Sequence, residues 1–324
     1  MTKIIGLGNA LVDIAIPLPD DEWLKDFKLP KGSMQHVERS IIDKLLEKTA
    51  AFNQQITSGG SAANTIHGLA RLGNNTAFIG KTGKDRLGTI FHNDLINSSI
   101  NPHLIISETE TGTAIAFVTP DSERTFAVFL GAALELEASD LKQEIFTGYD
   151  YLHIEGYMVQ NHKLIENAFI LAKNSGLKIS LDLASYNVVE ENLDFLNNMI
   201  GKYVDIIFAN EEEAQAFTGL SPEPALAHLA GICEIAVVKT GARGSIIKSG
   251  NETHHIDIIP VNVVDTTGAG DLYAAGFLHG LAQGLSLDKS GKVGALLSGN
   301  VIQYFGAKVP AESWTNIKNE IKKL

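Results

Sequence analysis

The chain has 324 residues, 44% hydrophobic and 20% charged, which is enough apolar material for a sizeable core and excludes disorder as its main state. Its 26 Lys and Arg against 38 Asp and Glu leave a formal charge of −12; a general nucleic-acid binder needs a basic face and is disfavoured, although a small local phosphate site is not. A single cysteine, Cys233, excludes an internal disulfide and a cysteine-rich metal centre and points to a reducing compartment.

The first residues form a short apolar run broken by Gly6 and Gly8, without the longer stretch of a signal peptide, and no membrane-length apolar run follows anywhere. A cytoplasmic protein with no membrane partner is expected. Gly6-Leu7-Gly8 opens like a dinucleotide fingerprint, but Leu11 stands where the third glycine belongs, which disfavours a nicotinamide dehydrogenase. Residues 11–16 are β-like and end at Pro17 and Pro19, with Asp13 offering an acceptor for two neighbouring hydroxyls. Next comes Ser58-Gly59-Gly60-Ser61-Ala62-Ala63-Asn64, leading into apolar residues at helical spacing up to Gly73. Gly59 and Gly60 allow a flat, sugar-like ligand to approach the backbone, and Asn64, in the first or second helical turn, can donate to and accept from vicinal hydroxyls. Gly80-Lys81-Thr82 imitates the end of a P-loop, but Asn75 replaces the first glycine that loop requires.

Two β-rich runs, 113–118 and 124–129, flank a Pro120-Asp121-Ser122 turn and predict a hairpin. With the N-terminal β segment they predict a small β-layer protruding from the body, a candidate lid built from segments near 11–36 and 109–130. From about residue 146 onward, short β-branched runs at 151–154, 178–183, 205–209 and 235–238 alternate with amphipathic stretches. That alternation predicts a doubly wound α/β architecture with a mostly parallel sheet covered on both faces. His254-His255 suits a surface strand better than a metal site, because neighbouring strand residues point to opposite faces.

Three strand ends in this half carry chemistry. Asn210-Glu211-Glu212-Glu213 is either the acidic first turn of a helix or, through Asn210 and Glu213, a pair that holds water around a phosphate-bound Mg²⁺. Thr240-Gly241-Ala242-Arg243-Gly244 is a glycine-rich turn; it is either a plain β-turn or a place where Thr240 and Gly241 donate to nucleotide phosphates. The strongest signal is Asp265-Thr266-Thr267-Gly268-Ala269-Gly270-Asp271, where an apolar strand over 261–264 is expected to end in a bare turn that opens a helix. Uncovered N–H groups and the helix dipole suit an anion there, and Asp271 beside them suits the base that takes a proton from an attacking hydroxyl. The competing reading has Asp265 cap the turn and Asp271 complement the dipole.

These runs, in this order, resemble the ribokinase/PfkB family of carbohydrate and nucleoside kinases over nearly the whole chain, from Gly8-Asn9-Ala10-Leu11-Val12-Asp13 through Gly59-Gly60…Asn64 and Asn210…Glu213 to Asp265…Asp271. The resemblance implies one ribokinase-like domain over 1–324, a three-layer sandwich with a small β-sheet lid that closes over the sugar and, in some members, pairs subunits, so either a monomer or a lid-mediated homodimer is expected. It implies ATP and Mg²⁺ as cofactors. Asp271 is similar to the base that deprotonates a primary hydroxyl, and Gly268, Ala269 and Gly270 to the anion hole. Asp13, Gly59, Gly60 and Asn64 resemble the sugar ligands. Asn210 and Glu213 resemble the pair that organises metal and phosphate, with Glu213 nearest the metal; Thr240, Gly241 and Gly244 resemble the nucleotide strand end, and Asn300 the adenine pocket. Within the family the chain is similar to bacterial adenosine-kinase-like proteins, which adds Phe117 against a purine face and Arg124 at the substrate, and implies phosphorylation of adenosine to AMP. A ribokinase- or fructokinase-type sugar kinase and a nucleoside-binding protein without catalysis are the other readings.

Overall fold

Alternation of apolar residues along the strands decides how the chain layers. In this computed structural model, which describes residues 2–121 and 123–324, the strands are β1 (Lys3–Leu7), β2 (Leu11–Pro17), β3 (Met34–His36), β4 (Gln55–Gly59), β5 (Asn75–Gly83), β6 (Ile100–Ser107), β7 (Gly112–Val118) and β8 (Arg124–Phe129). They continue as β9 (Tyr151–Glu155), β10 (Lys178–Asp182), β11 (Ile206–Asn210), β12 (Ile235–Lys239), β13 (Ser245–Ser249) and β14 (Glu252–Ile256). The large sheet runs β14-β13-β12-β11-β10-β9-β1-β5-β6 and is parallel from β12 to β6. Ile207 and Ala209 pack under the helices that include His162–Asn174 and Glu211–Thr218. Ile206 and Phe208 pack the other way, against helices Ser61–Leu72, Ala269–Ala282 and Leu287–Val301. Both faces are therefore covered, which is why these strands read as nearly continuous apolar runs. Among the described residues no helix is long and apolar enough to cross a membrane.

Registry brings functional side chains to one edge. Glu155 pairs with Asp182, and Asn210 with Lys239, at the carboxyl ends of their parallel strands. In open α/β sheets that edge is where the crevice forms.

The second sheet runs β3-β8-β7-β2-β4. Ile14, Ile16, Ile115, Phe117 and Ala127 bury one face against Leu24, Leu29, Ile42 and Leu45. The opposite face presents Leu11, Asp13, Ala114, Phe126 and Val128 to the main cleft. The expected hairpin forms, with Val118 pairing Arg124; Ser122 of its turn lies outside the described residues. Strand β4, Gln55–Gly59, joins this sheet although it lies outside the segments expected to build the β-layer.

Two expectations change here. Residues 261–264 form no strand; Val264 N–H donates to Ile302 O at 2.8 Å, just past the end of helix Leu287–Val301, and Val263 and Val264 are exposed. Apolar content alone did not make a strand where no sheet edge offers pairing. Phe117 is fully buried, its ring tilted against Phe27 at 4.9 Å inside the small sheet's own core, so it faces away from the cleft.

Candidate active site

A cleft of about 1370 Å³ separates the small sheet from the carboxyl edge of the large one. Asp13, Gly60, Ser61, Glu155, Asp182, Asn210, Glu213, Lys239, Gly241, Gly244 and the 269–271 turn all border it. The residues singled out near the start of the chain and those near its end thus share one space.

Asp271 sits in the first turn of helix Ala269–Ala282. Ser61 Oγ donates to its Oδ1 at 2.7 Å, and Asn64 Nδ2 donates to its Oδ2 at 2.9 Å. Both donors come from the start of helix Ser61–Leu72, so one helix N-terminus orients the carboxylate carried by another. Burial raises the Asp271 carboxyl to about 6; the two hydrogen bonds and Lys239 pull the other way, and Asp182 adds to the rise. Gly268 caps the helix at φ 76, where a Cβ would lie 2.7 Å from the Cα of Ala307. Asp265 braces the turn: its Oδ1 accepts from Thr267 N at 3.0 Å and Oγ1 at 2.9 Å, and its Oδ2 from Gly306 N at 2.7 Å. The first N–H groups of the helix, which have no acceptor within it, are left for an anion at this end.

On the opposite wall, burial raises Asp13 to about 6, with Lys308 and Arg124 lowering it and Asp271 raising it. Gly59 makes room for this carboxylate, since a Cβ there would lie 2.2 Å from Asp13 Oδ2. Asn64 is placed differently from expectation: its Nδ2 is committed to Asp271, its Oδ1 is buried without a hydrogen-bond partner, and the residue is not among those bordering the cleft, so it orients the Asp271 carboxylate. Arg124 is also displaced from the expected role. Its guanidinium forms an ion pair with Asp265, donates to Thr267 Oγ1 at 2.8 Å and lies 4.6 Å over the Phe305 ring. It ties the small sheet to the anion turn and does not line the cleft.

Farther along the carboxyl edge of the sheet, Asn210 and Glu213 form a capping box. Asn210 Oδ1 accepts from Glu213 N at 2.8 Å, while Glu213 accepts from Asn210 N and Nδ2 at 2.7 Å each. Burial lifts Glu213 to about 7 against the pull of Lys239. Gly241 and Gly244 border the cleft, but Thr240 spends its hydroxyl on Gly244 O at 3.0 Å and faces inward. Asn300 likewise turns away, donating to Leu296 O at 2.8 Å; Ala295, Ser298, Gly299 and Ile302 occupy the cleft face of that helix, and Asn300 follows Gly299 by about 100° of helical rotation.

Several functional side chains escaped the sequence reading. Glu155, fully buried and raised by burial to about 7, accepts from Asn9 N, Asn9 Nδ2 and Ala62 N, pinning the β1–β2 turn to the helix that carries Ser61. Asp182 Oδ2 accepts from Lys239 Nζ at 2.8 Å. Ser61 directly follows Gly59-Gly60, where a hydroxyl at a helix start is the available signal. Lys239 directly precedes the Thr240-Gly241 turn. Among the described residues no cluster of three or more acidic, His or Cys side chains is arranged to hold a metal directly.

A profile of pfkB family carbohydrate kinases matches residues 36–314. The crystal structure of adenosine kinase from Sinorhizobium meliloti superposes with a TM-score of 0.87 at 33% identity, covering 98% of this chain and 99% of that one. That of a probable sugar kinase from Rhizobium etli gives 0.88 at 33% identity, covering 100% and 99%. The 5-dehydro-2-deoxygluconokinase of Geobacillus thermodenitrificans is 30% identical over 281 residues, 81% of this chain and 82% of that protein.

Proposed function

The chain belongs to the pfkB family of carbohydrate kinases and is an ATP-using phosphotransferase acting on an alcohol group of a sugar or nucleoside; from that premise we propose that it phosphorylates the primary 5′-hydroxyl of a nucleoside, adenosine foremost, giving AMP. The observation that carries this reading is the single cleft that holds Asp13 and Gly60 on one wall and Gly270 and Asp271 on the other. Support for a base-bearing acceptor comes from the apolar lining of Leu130, Leu134, Leu136, Met158 and Leu164, which suits a flat ring. A phosphosugar acceptor fits less well, because among the described residues no arginine borders the cleft. The relationship to a 5-dehydro-2-deoxygluconokinase keeps a sugar acceptor as the second reading.

In this mechanism Asp13 and the Gly60 backbone hold the ribose hydroxyls. Asp271, oriented by Ser61 and Asn64, accepts the proton as the acceptor oxygen attacks the γ-phosphorus. The 268–270 turn receives the charge that develops on the transferring group. The carboxylates of Asp182, Glu213 and Asp271 are each engaged by protein donors, so a Mg²⁺ carried in on the nucleotide would be held through water by Asn210 and Glu213. When bound, that ion supplies charge neutralisation along the triphosphate.

The small sheet serves as the lid that excludes water during transfer, and Arg124 is its tie to the anion turn. Arg124→Ala removes one partner of a buried pair, with side chains 10% and 6% exposed. It is expected to lower stability by about 3 kcal/mol and to raise the acceptor KM; thermal unfolding and initial rates check both.

The pH dependence follows from the two raised carboxyls. Asp271 works only when deprotonated, so kcat/KM is expected to fall below pH about 6, approaching tenfold per unit from this group. Asp13, also at about 6, steepens that limb. A flat profile between pH 5 and 7 contradicts the assignment. The acceptor itself is tested by ADP release across adenosine, inosine, guanosine, ribose, fructose and fructose phosphates, with adenosine expected to give the highest kcat/KM.

A further inference from the structure

We propose that Lys239 is a catalytic residue of this phosphotransfer, an ammonium that leaves Asp182 to contact the γ-phosphoryl group as it moves into the anion turn. The inference rests on the kinase reading above and adds a residue to it.

Lys239 ends β12, and its side chain is only 17% exposed. Its Nζ lies 2.8 Å from Asp182 Oδ2 and 3.1 Å from where a Cβ on Gly270 would stand. The missing side chain of Gly270 thus gives the ammonium access to the turn that forms the anion hole. Burying a lysine costs several kcal/mol unless partners offset it. Here the carboxylates of Asp182, Glu213 and Asp271 do so and hold Lys239 above its ordinary value despite burial.

Charge balance turns that position into a function. Among the described residues bordering the cleft, Lys239 is the only Lys or Arg, against Asp13, Glu155, Asp182, Glu191, Glu213, Asp257 and Asp271. A triphosphate entering such a space needs a cation beside the bond that breaks. As the acceptor oxygen bonds to the γ-phosphorus, its proton passes to Asp271 and the bond to the β,γ-bridging oxygen breaks, leaving ADP. Negative charge meanwhile spreads over the three oxygens next to Gly270. A cation that reaches that spot by a short swing stabilises the charge where it develops. Asp182 then serves as the resting partner from which the ammonium swings.

The competing role for Lys239 is purely structural, as counter-ion to Asp182. The single variant Lys239→Met leaves Asp182 unpaired, so it is compared with Lys239→Met/Asp182→Asn, which leaves no buried charge from this pair. The proposal expects kcat to fall by about 10²–10³ in both variants. It expects Lys239→Arg to recover part of the loss. Calorimetry supplies a second readout: ADP with aluminium fluoride, a mimic of the transferring group, is expected to bind at least about tenfold more weakly to the double variant, while ADP alone changes by less than about threefold. Recovery of the wild-type kcat in the double variant overturns the proposal, as does unchanged affinity for the mimic. A wild-type protein that phosphorylates no acceptor contradicts the kinase reading instead, which separates the two failures.

Discussion

Replacing Asp271 by Asn is expected to lower kcat by about 10²–10⁴, the usual cost of losing a general base, while changing the KM for either substrate little. The amide is isosteric and keeps the side chain between Ser61 and Asn64, so the loss reads out proton transfer rather than collapse of the pocket. Stability gives an internal control with a defined sign. Burial penalises the charged form and raises the folded carboxyl to about 6, above its ordinary value. Its contribution to stability is therefore present below pH about 4 and lost as pH rises through about 6. Asn carries no such charge, so at pH 8 the variant is expected to unfold at or above the wild-type temperature. A slow variant that is also less stable at pH 8 points to a structural role for Asp271. One that turns over at the wild-type rate removes it from the mechanism.

Gly268→Ala is the second large effect. The residue sits at φ 76, in the left-handed region, and an added methyl would lie 2.7 Å from both the Cα and the Cβ of Ala307. Neither of those atoms is the end of a flexible side chain, so relief requires the backbone of the turn to move. Shifting the N-terminus of helix Ala269–Ala282 by even a fraction of an ångström misaims the amides and displaces Asp271. We expect kcat to fall by about 10² or more, with a stability loss of about 1–3 kcal/mol. Gly284→Ala is the matched control: its φ is 72, but open space surrounds the new methyl. It shares the backbone penalty of about 1 kcal/mol and is expected to keep its kcat. Equal rates for the two variants contradict the claim that the 268–270 amides carry charge in the transition state.

The parts of this molecule that were legible in its sequence are those where chemistry is local. Short β-branched runs became β9 to β12 because parallel strands covered on both faces need unbroken apolar content. The Gly268-Ala269-Gly270-Asp271 turn was legible because bare amides at a helix start leave few other residue choices. Partnership across the chain was not. Ser61 and Asp271 are 210 positions apart, Arg124 and Thr267 are 143, and Lys239 and Asp182 are 57. Only the fold brings these together, so sequence alone points Asn64 and Arg124 at a substrate, whereas Asn64 Nδ2 donates to Asp271 and the Arg124 guanidinium pairs with Asp265. Phase was lost in the same way. A period of two places Phe117 on one face of β7 but does not say which face meets the cleft. A helical period cannot say that Gly299, rather than Asn300, looks toward the nucleotide end.

The central event is the crossing of a phosphoryl group from the 268–270 turn to an oxygen held near Asp13. Phosphorus NMR of a reaction with ATP and adenosine tests it most directly. The predicted result is ADP and a 5′-monophosphate in equal amounts, with no product from 5′-deoxyadenosine. Release of ADP and inorganic phosphate alone, at a rate indifferent to every nucleoside and sugar supplied, would contradict it.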